Sequence, residues 1–101
     1  MGEVGSTGQT PMEAVTEPVM EAVTVRYWAA AREAAGVDSE PLGLAPDATV
    51  ADVVAVAVAA HPALARVAAV ATFLVDGRAA RREAAVAPGA TVEVLPPFAG
   101  G

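Results

Sequence analysis

The C-terminal end of the chain carries the group with the clearest chemical potential, a free carboxylate at the tip of a slender segment. That segment reads Leu95-Pro96-Pro97-Phe98-Ala99-Gly100-Gly101. Its prolines prevent strand pairing at its base, and its glycines leave the tip without side chains. Gly fills 9 of the 101 positions, so a Gly-Gly end arises by chance in about 0.8 per cent of such sequences. The segment is predicted to project from the domain, so that the Gly101 carboxylate can enter a narrow channel in another protein.

The rest of the chain offers few groups for catalysis of its own. It contains one His, no Cys and 12 scattered Asp and Glu residues, without a Gly-rich phosphate loop or a paired-histidine metal motif. His61, which precedes Pro62 at a predicted helix end, is interpreted as a solvated terminus or a partner of the helix dipole rather than a base or ligand. No metal and no bound cofactor are therefore predicted, and catalysis is expected to depend on a partner.

The basic residues are unusual because all six are arginine. The chain therefore has no lysine amine, just as it has no cysteine thiol. One interpretation is that this composition protects an activated C-terminus from acylating its own chain. The other is a general compositional bias toward Arg, Ala, Val and Gly, and the sequence leaves both open.

Charge and hydropathy exclude two classes of partner. The net charge of −6, without an extended basic cluster, argues against nucleic acid. Residues 53–75 form an apolar run about long enough to cross a bilayer, but His61, Pro62 and Arg66 interrupt it and alanine fills many positions. The run is therefore predicted to be a helix, a turn and a strand rather than a membrane span. The N-terminus lacks the pattern of a signal peptide, so a cytoplasmic location is expected.

Composition divides the chain into three parts. Residues 1–21 are rich in Gly, Thr, Glu and Pro and are predicted to form a disordered N-terminal tail. Residues 22–95 are predicted to form the folded domain, and residues 96–101 the projecting C-terminal tail. One domain is expected, because a chain of this length leaves little room for a second core.

Hydrophobic patterns predict the elements of the domain. The first strand alternates so that Val23, Val25 and Tyr27 face the core. Strands are predicted over 22–28, 40–44, 72–75 and 91–95, with a hairpin return through Ala79 and Arg81. A main helix is predicted over 49–60 with one further turn over 63–67, and residues 29–35 are predicted to form a short helix or turn.

Turn and cap residues mark the ends of these elements. Thr49 and Asp52 have the spacing of a helix N-cap. Gly36 suits the left-handed position that ends a short helix. Asp76-Gly77 is typical of a tight hairpin turn, because both residues tolerate positive φ.

Four motifs carry a family resemblance. They are Val25-Arg26-Tyr27-Trp28-Ala29 followed by Arg32-Glu33 and Gly36, Thr49-Val50-Ala51-Asp52 at the predicted helix start, Val75-Asp76-Gly77, and the C-terminal segment from Leu95 to Gly101. Over residues 22–101 the chain resembles the small subunit of molybdopterin synthase, among the ubiquitin-like sulfur carriers. The last motif is the most specific, because the related thiamine-pathway carriers share the Gly-Gly end but usually lack the double proline.

The resemblance implies an α+β fold of the β-grasp (ubiquitin-like) type, with one main helix packed on a mixed sheet. It also implies that an ATP-dependent, E1-like enzyme adenylates the Gly101 carboxylate, which a sulfur donor enzyme then helps to convert to a thiocarboxylate. The loaded tail would enter the large catalytic subunit of molybdopterin synthase and donate sulfur to the cyclic pyranopterin monophosphate in molybdenum cofactor biosynthesis. The chain would be the non-catalytic subunit of that complex. Besides Gly101, the implicated residues are Gly100, Ala99, Pro97 and Pro96, which would thread the partner's active site, and Phe98 and Leu95, which would contact the partner.

Other interpretations of the same tail are open. The thiocarboxylate could serve another pathway, such as cysteine, thiamine or other sulfur-metabolite synthesis. The C-terminal carboxylate could form isopeptide bonds, as in a ubiquitin-like modifier, or the Gly-Gly end could be incidental in an interaction module. Phe98 could anchor a partner or fold back over its own sheet. Arg78, Arg81 and Arg82 fit a solvated hairpin better than contact with an acidic partner, and Trp28 fits packing better than a partner contact.

Overall fold

Five strands and three helices follow one another along residues 21–98, the part of the chain that the computed structural model describes. None of the helices in this part is long and apolar enough to cross a membrane. The elements are β1 (Glu21–Tyr27), α1 (Ala30–Ala35), β2 (Ser39–Leu44), α2 (Val50–Ala60), α3 (Leu64–Val70), β3 (Thr72–Val75), β4 (Arg78–Ala80) and β5 (Thr91–Leu95).

The strands form a mixed sheet in the order β2-β1-β5-β3-β4. β1 and β5, the first and last strands, are parallel, and every other pair is antiparallel. A parallel pair cannot be joined by a tight turn, so the helices and the β3–β4 hairpin occupy the chain between them. The α+β class and the mixed sheet are therefore confirmed.

Alternation along the strands separates a covered face of the sheet from an open face. Val23, Val25 and Tyr27 on β1 and Val92 and Val94 on β5 are all at most 2% exposed and belong to one hydrophobic core with residues of the three helices. This is the face that the alternation predicted. The residues between them in sequence lie on the open face and are exposed or half-buried.

Helix α2 begins where the cap residues predicted. The Asp52 amide donates to Thr49 Oγ1, and the Thr49 amide donates to the Asp52 carboxylate over 2.9 Å, which is a capping box. Val50 and Ala51 donate their amides to backbone carbonyls of the loop after β4. The amides that a helix start leaves unpaired are thus satisfied, and Val53 is held in the core.

The prediction of one extra turn over 63–67 was too short, because α3 is a separate helix of seven residues. The residue before a proline is disfavoured in the helical region, and His61, before Pro62, has φ −135° and ψ 83°. The break redirects the chain, and new hydrogen bonds from Leu64 to His61 and from Ala65 to Pro62 start α3. Three helices therefore cover the sheet, where a short helix or turn, one main helix and one further turn were predicted.

The predicted turns form as expected. Gly36 has φ 80° at the end of α1, and Asp76 and Gly77 have φ 49° and 86° between β3 and β4. The returning strand β4 ends at Ala80, so Arg81 lies outside it. Asp76 also holds the start of β5, because its Oδ1 accepts the Thr91 amide over 2.9 Å.

Candidate functional site at the base of the C-terminal tail

The C-terminal tail leaves from the centre of the sheet. β5 pairs with β1 on one side and with β3 on the other, and its last residue, Leu95, lies opposite Thr72. Trp28 extends the contact with β1 by donating its amide to the Val94 carbonyl over 3.2 Å. A strand that is hydrogen-bonded on both sides is held in position, so the point from which the tail departs is well defined.

The start of the tail changes from buried to exposed within three residues. Pro96 is buried and Pro97 is exposed. Phe98 is 95% exposed and has φ 67°, a left-handed conformation that is uncommon for a bulky residue. Phe98 therefore points into solvent and does not fold back over its own sheet. Ala99, Gly100 and Gly101 lie outside the described residues, so their roles stay predictions.

Three side chains beside the tail base form an open-face cluster, which we define as Arg26, Trp28 and Glu93. The Trp28 indole Nε1 donates to Glu93 Oε1 over 2.8 Å, and the Arg26 guanidinium lies 4.8 Å from the centre of the Trp28 ring. Arg26 and Glu93 are also direct strand partners. The cluster therefore presents a flat aromatic ring fixed from two sides, and Trp28 is packed within its own sheet as the sequence indicated.

The chain turns sharply after this cluster at Ala29. This residue has φ 49° and ψ −124°, a conformation that L-residues other than glycine adopt only at a cost of about 1–3 kcal/mol. The turn lets the Trp28 carbonyl accept the first amide bonds of α1 from Ala31 and Arg32. It also carries the chain from the open face to Ala31, which is fully buried.

A second polar cluster, which the sequence analysis did not find, lies on the covered side near the same end of the sheet. Glu40 Oε2 accepts the Tyr27 hydroxyl over 2.6 Å and lies 2.7 Å from His61 Nε2. His61 is half-buried and its ring packs edge-on against Tyr27. The interpretation of His61 as a solvated terminus was therefore wrong. No local pattern could have shown this, because the partners are 13 and 21 residues apart.

This Tyr27–Glu40–His61 cluster ties together β1, β2 and the end of α2. Burial, together with the hydrogen bond to Glu40 and its charge, raises the pKa of Tyr27 well above its ordinary value. The Tyr27 hydroxyl is nearly inaccessible and points to its own partners. In residues 21–98 no group of three or more His, Cys, Asp or Glu side chains could hold a metal ion. The arrangement supports a structural role for the cluster.

The arginines after β4 differ in their surroundings. Arg82 donates to the Ala68 carbonyl over 2.8 Å at the end of α3, and its guanidinium lies 5.0 Å from the centre of the Phe73 ring. Arg82 therefore links the hairpin to a helix. Arg78 and Arg81 are exposed. An open depression of about 360 Å³ beside Arg81 and Arg82 also includes Thr72, the strand neighbour of Leu95.

The sheet order and the parallel pairing of the first and last strands, with Pro97 and Phe98 exposed after β5, together define a ubiquitin-like β-grasp domain. The model of the ThiS family matches residues 25–101. The chain therefore belongs to the ThiS family and is a ubiquitin-like sulfur carrier. No curated protein matches the sequence.

Solved structures of the same fold include archaeal modifier proteins. Small archaeal modifier protein 1 from Haloferax volcanii is 32% identical, with a TM-score of 0.71, and the match covers 79% of this chain and 99% of that one. A protein from Pyrococcus furiosus assigned as molybdopterin converting factor, subunit 1, is 28% identical with a TM-score of 0.70, covering 77% and 99%. Small archaeal modifier protein 1 from Methanosarcina acetivorans is 27% identical with a TM-score of 0.68, covering 81% and 98%. The chain is thus similar to proteins named for two different roles.

Proposed function

We propose that this protein is the small, sulfur-carrying subunit of a molybdopterin synthase. In this role the Gly101 carboxylate is adenylated, converted to a thiocarboxylate and used to deliver sulfur to the cyclic pyranopterin monophosphate during molybdenum cofactor biosynthesis. The double proline of the tail and the similarity to the Pyrococcus furiosus protein support the molybdenum branch.

The observation that carries the proposal is the exposure of Phe98 two residues after the buried Pro96. An apolar side chain that is 95% exposed gains little from its own domain and becomes useful when a partner buries it. Full burial of a phenylalanine contributes about 1.5–3 kcal/mol. The base of the tail thus presents Phe98 for contact with a partner, and Leu95, half-buried on the open face, adds to the same contact surface.

The reaction requires activation of the carboxylate, because oxide is a very poor leaving group. The carboxylate oxygen attacks the α-phosphate of ATP, the bond to pyrophosphate breaks, and an acyl adenylate forms. A sulfide equivalent held by the sulfur donor enzyme then attacks the carbonyl carbon, and AMP leaves. The product is a thiocarboxylate, whose sulfur is a better nucleophile than the original oxygen.

The groups that stabilise these anions must come from partners. The segment from Leu95 to Gly101 contains no cation, and Arg26, the basic residue of the open-face cluster, is already stacked on Trp28 and lies opposite Glu93. An E1-like enzyme would supply cations around the adenylate, and the large catalytic subunit would supply them around the thiocarboxylate. The open-face cluster offers both enzymes a fixed aromatic surface next to the tail.

The direct test is reconstitution with the activating enzyme of the same organism, ATP and a sulfur donor, followed by intact-mass measurement. The expected result is a sulfur-for-oxygen mass increase confined to the C-terminal peptide. Adding the large subunit and the cyclic pyranopterin monophosphate should then return the carrier to its carboxylate form and yield the dithiolene product. Loaded carrier that never transfers sulfur to the pterin would exclude the molybdenum role.

Two variants make this test specific. Deletion of Gly101 should abolish loading and leave the unfolding temperature unchanged, since the last residue of the described core is Val94. Phe98→Ala should load sulfur normally but bind the large subunit about tenfold more weakly, from the lost burial of one aromatic ring. A Phe98→Ala variant with unchanged partner affinity would remove the main support for the proposal.

Protein modification is the second candidate function, because the chain is 32% identical to small archaeal modifier protein 1 from Haloferax volcanii. In that role the acyl adenylate, or a derivative of it, would be attacked by a lysine of a target protein. Immunoblots of the host should then show a ladder of adducts that disappears when Gly101 is deleted. A sulfur carrier of the molybdenum branch should give no such ladder.

A further inference from the structure

We infer that this carrier is a one-way donor: no side chain of one copy can capture the activated C-terminus of another copy in a stable bond. The inference rests on the proposed activation of Gly101 and adds a property to it. In a sulfur-carrying role this property prevents carrier molecules from forming permanent conjugates with one another. In a modifying role it limits the protein to single attachment through Gly101, since one copy cannot be joined to a side chain of the next.

The competing reaction is acyl transfer to an amine. A lysine amine attacks the carbonyl carbon of the acyl adenylate, the bond to AMP breaks, the nitrogen loses a proton, and an amide forms. The amide does not reopen under the conditions that load sulfur. Every such event would remove a carrier from use, so a chain that is activated repeatedly benefits from having no accessible side-chain amine.

The chain lacks the side chains that make this product. All six of its basic residues are arginine, and it contains no cysteine. A guanidinium keeps its proton at neutral pH, so it is not a nucleophile. Three of the arginines also make defined contacts: Arg26 with Trp28, Arg32 with Asp38, and Arg82 with Ala68 and Phe73.

The other nucleophilic groups of the chain are poorly suited to attack the activated C-terminus of another copy. Tyr27 is 2% exposed and its hydroxyl donates to Glu40, which leaves a second chain little access to it. His61 is half-buried with Nε2 against Glu40, and an acyl-imidazole hydrolyses back to free carboxylate. Serine and threonine hydroxyls need an adjacent base to attack an acyl group. The α-amino group at the N-terminus is the one amine in the sequence, and it can join copies only head to tail.

The structure provides positions at which a lysine amine can be added without changing the charge or the fold. Arg66 on α3 and Arg78 on β4 are exposed. Arg66→Lys and Arg78→Lys each add one amine and retain the positive charge. Arg66→Gln and Arg78→Gln remove the charge at the same sites and add no amine, so they serve as matched controls.

The experiment incubates each protein with its activating enzyme and ATP in the absence of a sulfur donor, and measures pyrophosphate release and intact mass. A conjugate of two chains has the mass of two chains minus one water. In wild type and the glutamine variants, peptide mapping should find this conjugate linked only through the α-amino group. The lysine variants should form that conjugate through the new side chain. Its rate should rise about tenfold per pH unit below the lysine pKa of about 10.4.

The outcomes separate the two proposals. If no variant releases pyrophosphate, the proposed function fails and the inference fails with it. If wild type is activated and conjugates through a side chain, or if the lysine variants conjugate no more than wild type, only the one-way donor is overturned. The one-way donor is established if the lysine variants form conjugates through the new lysine, if the rate depends on pH, and if wild type forms none of these conjugates.

Discussion

The two faces of the sheet use the same strands for different purposes. On β1, Val25 is fully buried under the helices, whereas its neighbour Arg26 is exposed and stacks on Trp28. On β5, Val94 is buried, whereas Glu93 is half-buried and accepts the indole hydrogen bond. The covered face holds small aliphatic side chains in a continuous core, and the open face holds a few polar and aromatic groups in specific contacts. The difference teaches that the buried core and the solvent-facing contacts of this sheet are separated by a single residue step along a strand.

The largest expected difference comes from making the same leucine-to-alanine truncation in the covered core and on the open face. Leu64→Ala removes a side chain that is 1% exposed in the core, and should cost about 3 kcal/mol of the free energy of unfolding. Leu74→Ala removes the same atoms from a half-buried position on the open face, and should cost less than about 1 kcal/mol. Urea denaturation followed by circular dichroism measures both. Equal losses would mean that the open face also supports the fold.

A medium effect is expected at Tyr27, where the covered face contains a polar group. Tyr27→Phe removes the hydroxyl that donates to Glu40, and should cost about 1.5 kcal/mol at neutral pH. The pKa of Tyr27 is raised in the folded protein, so the folded state holds the proton more tightly than the unfolded state. This contribution is fully present below the unfolded pKa of about 10 and is lost as the pH rises toward the folded pKa.

Wild type should therefore lose stability more steeply than Tyr27→Phe above about pH 10. Tyr27 is the one tyrosine of the chain, so phenolate absorbance in the wild type reports this residue alone. A phenol that titrates near its ordinary pH while the protein stays folded would contradict the hydrogen bond to Glu40.

The smallest expected effect is at Ala29, where the chain crosses from the open face to the covered face. Ala29→Gly relieves a conformation with φ 49°, and should stabilise the protein by about 1 kcal/mol after the added flexibility of the unfolded chain is subtracted. Ala30→Gly, at the exposed first residue of α1, is the matched control and should destabilise by up to about 1 kcal/mol. Thermal unfolding of the two variants should move in opposite directions. Loss of stability in both would show that Ala29 is not strained.

Much of the fold could be predicted because its signals are local. The alternation of Val23, Val25 and Tyr27 identified the buried face of β1, and Thr49 with Asp52 marked the start of α2. Gly36 and Asp76-Gly77 placed a helix end and a hairpin, since each needs a positive φ. The extent of α3 was missed, because an alanine- and valine-rich segment after Pro62 has no cap that shows where the helix stops.

For the candidate site, the sequence predicted the chemical groups but not their arrangement in space. The segment from Leu95 to Gly101 indicated an exposed carboxylate, and the family match over residues 25–101 supports a sulfur carrier. The orientation of Phe98 was open until the structure placed it in solvent. The contact between Trp28 and Glu93 joins residues 65 positions apart, and no local pattern predicts a hydrogen bond over that distance.

The sequence by itself determined which groups this protein can and cannot use: a C-terminal carboxylate behind two prolines, no thiol and no lysine amine. It also determined the faces of its strands, because side chains alternate with a period of two whatever the strands pair with. Only the tertiary structure decided that β5 lies between β1 and β3, that Glu40 joins Tyr27 to His61, and that Phe98 points away from the sheet. Those contacts join distant parts of the chain, and they form only when burial of the shared core brings those parts together.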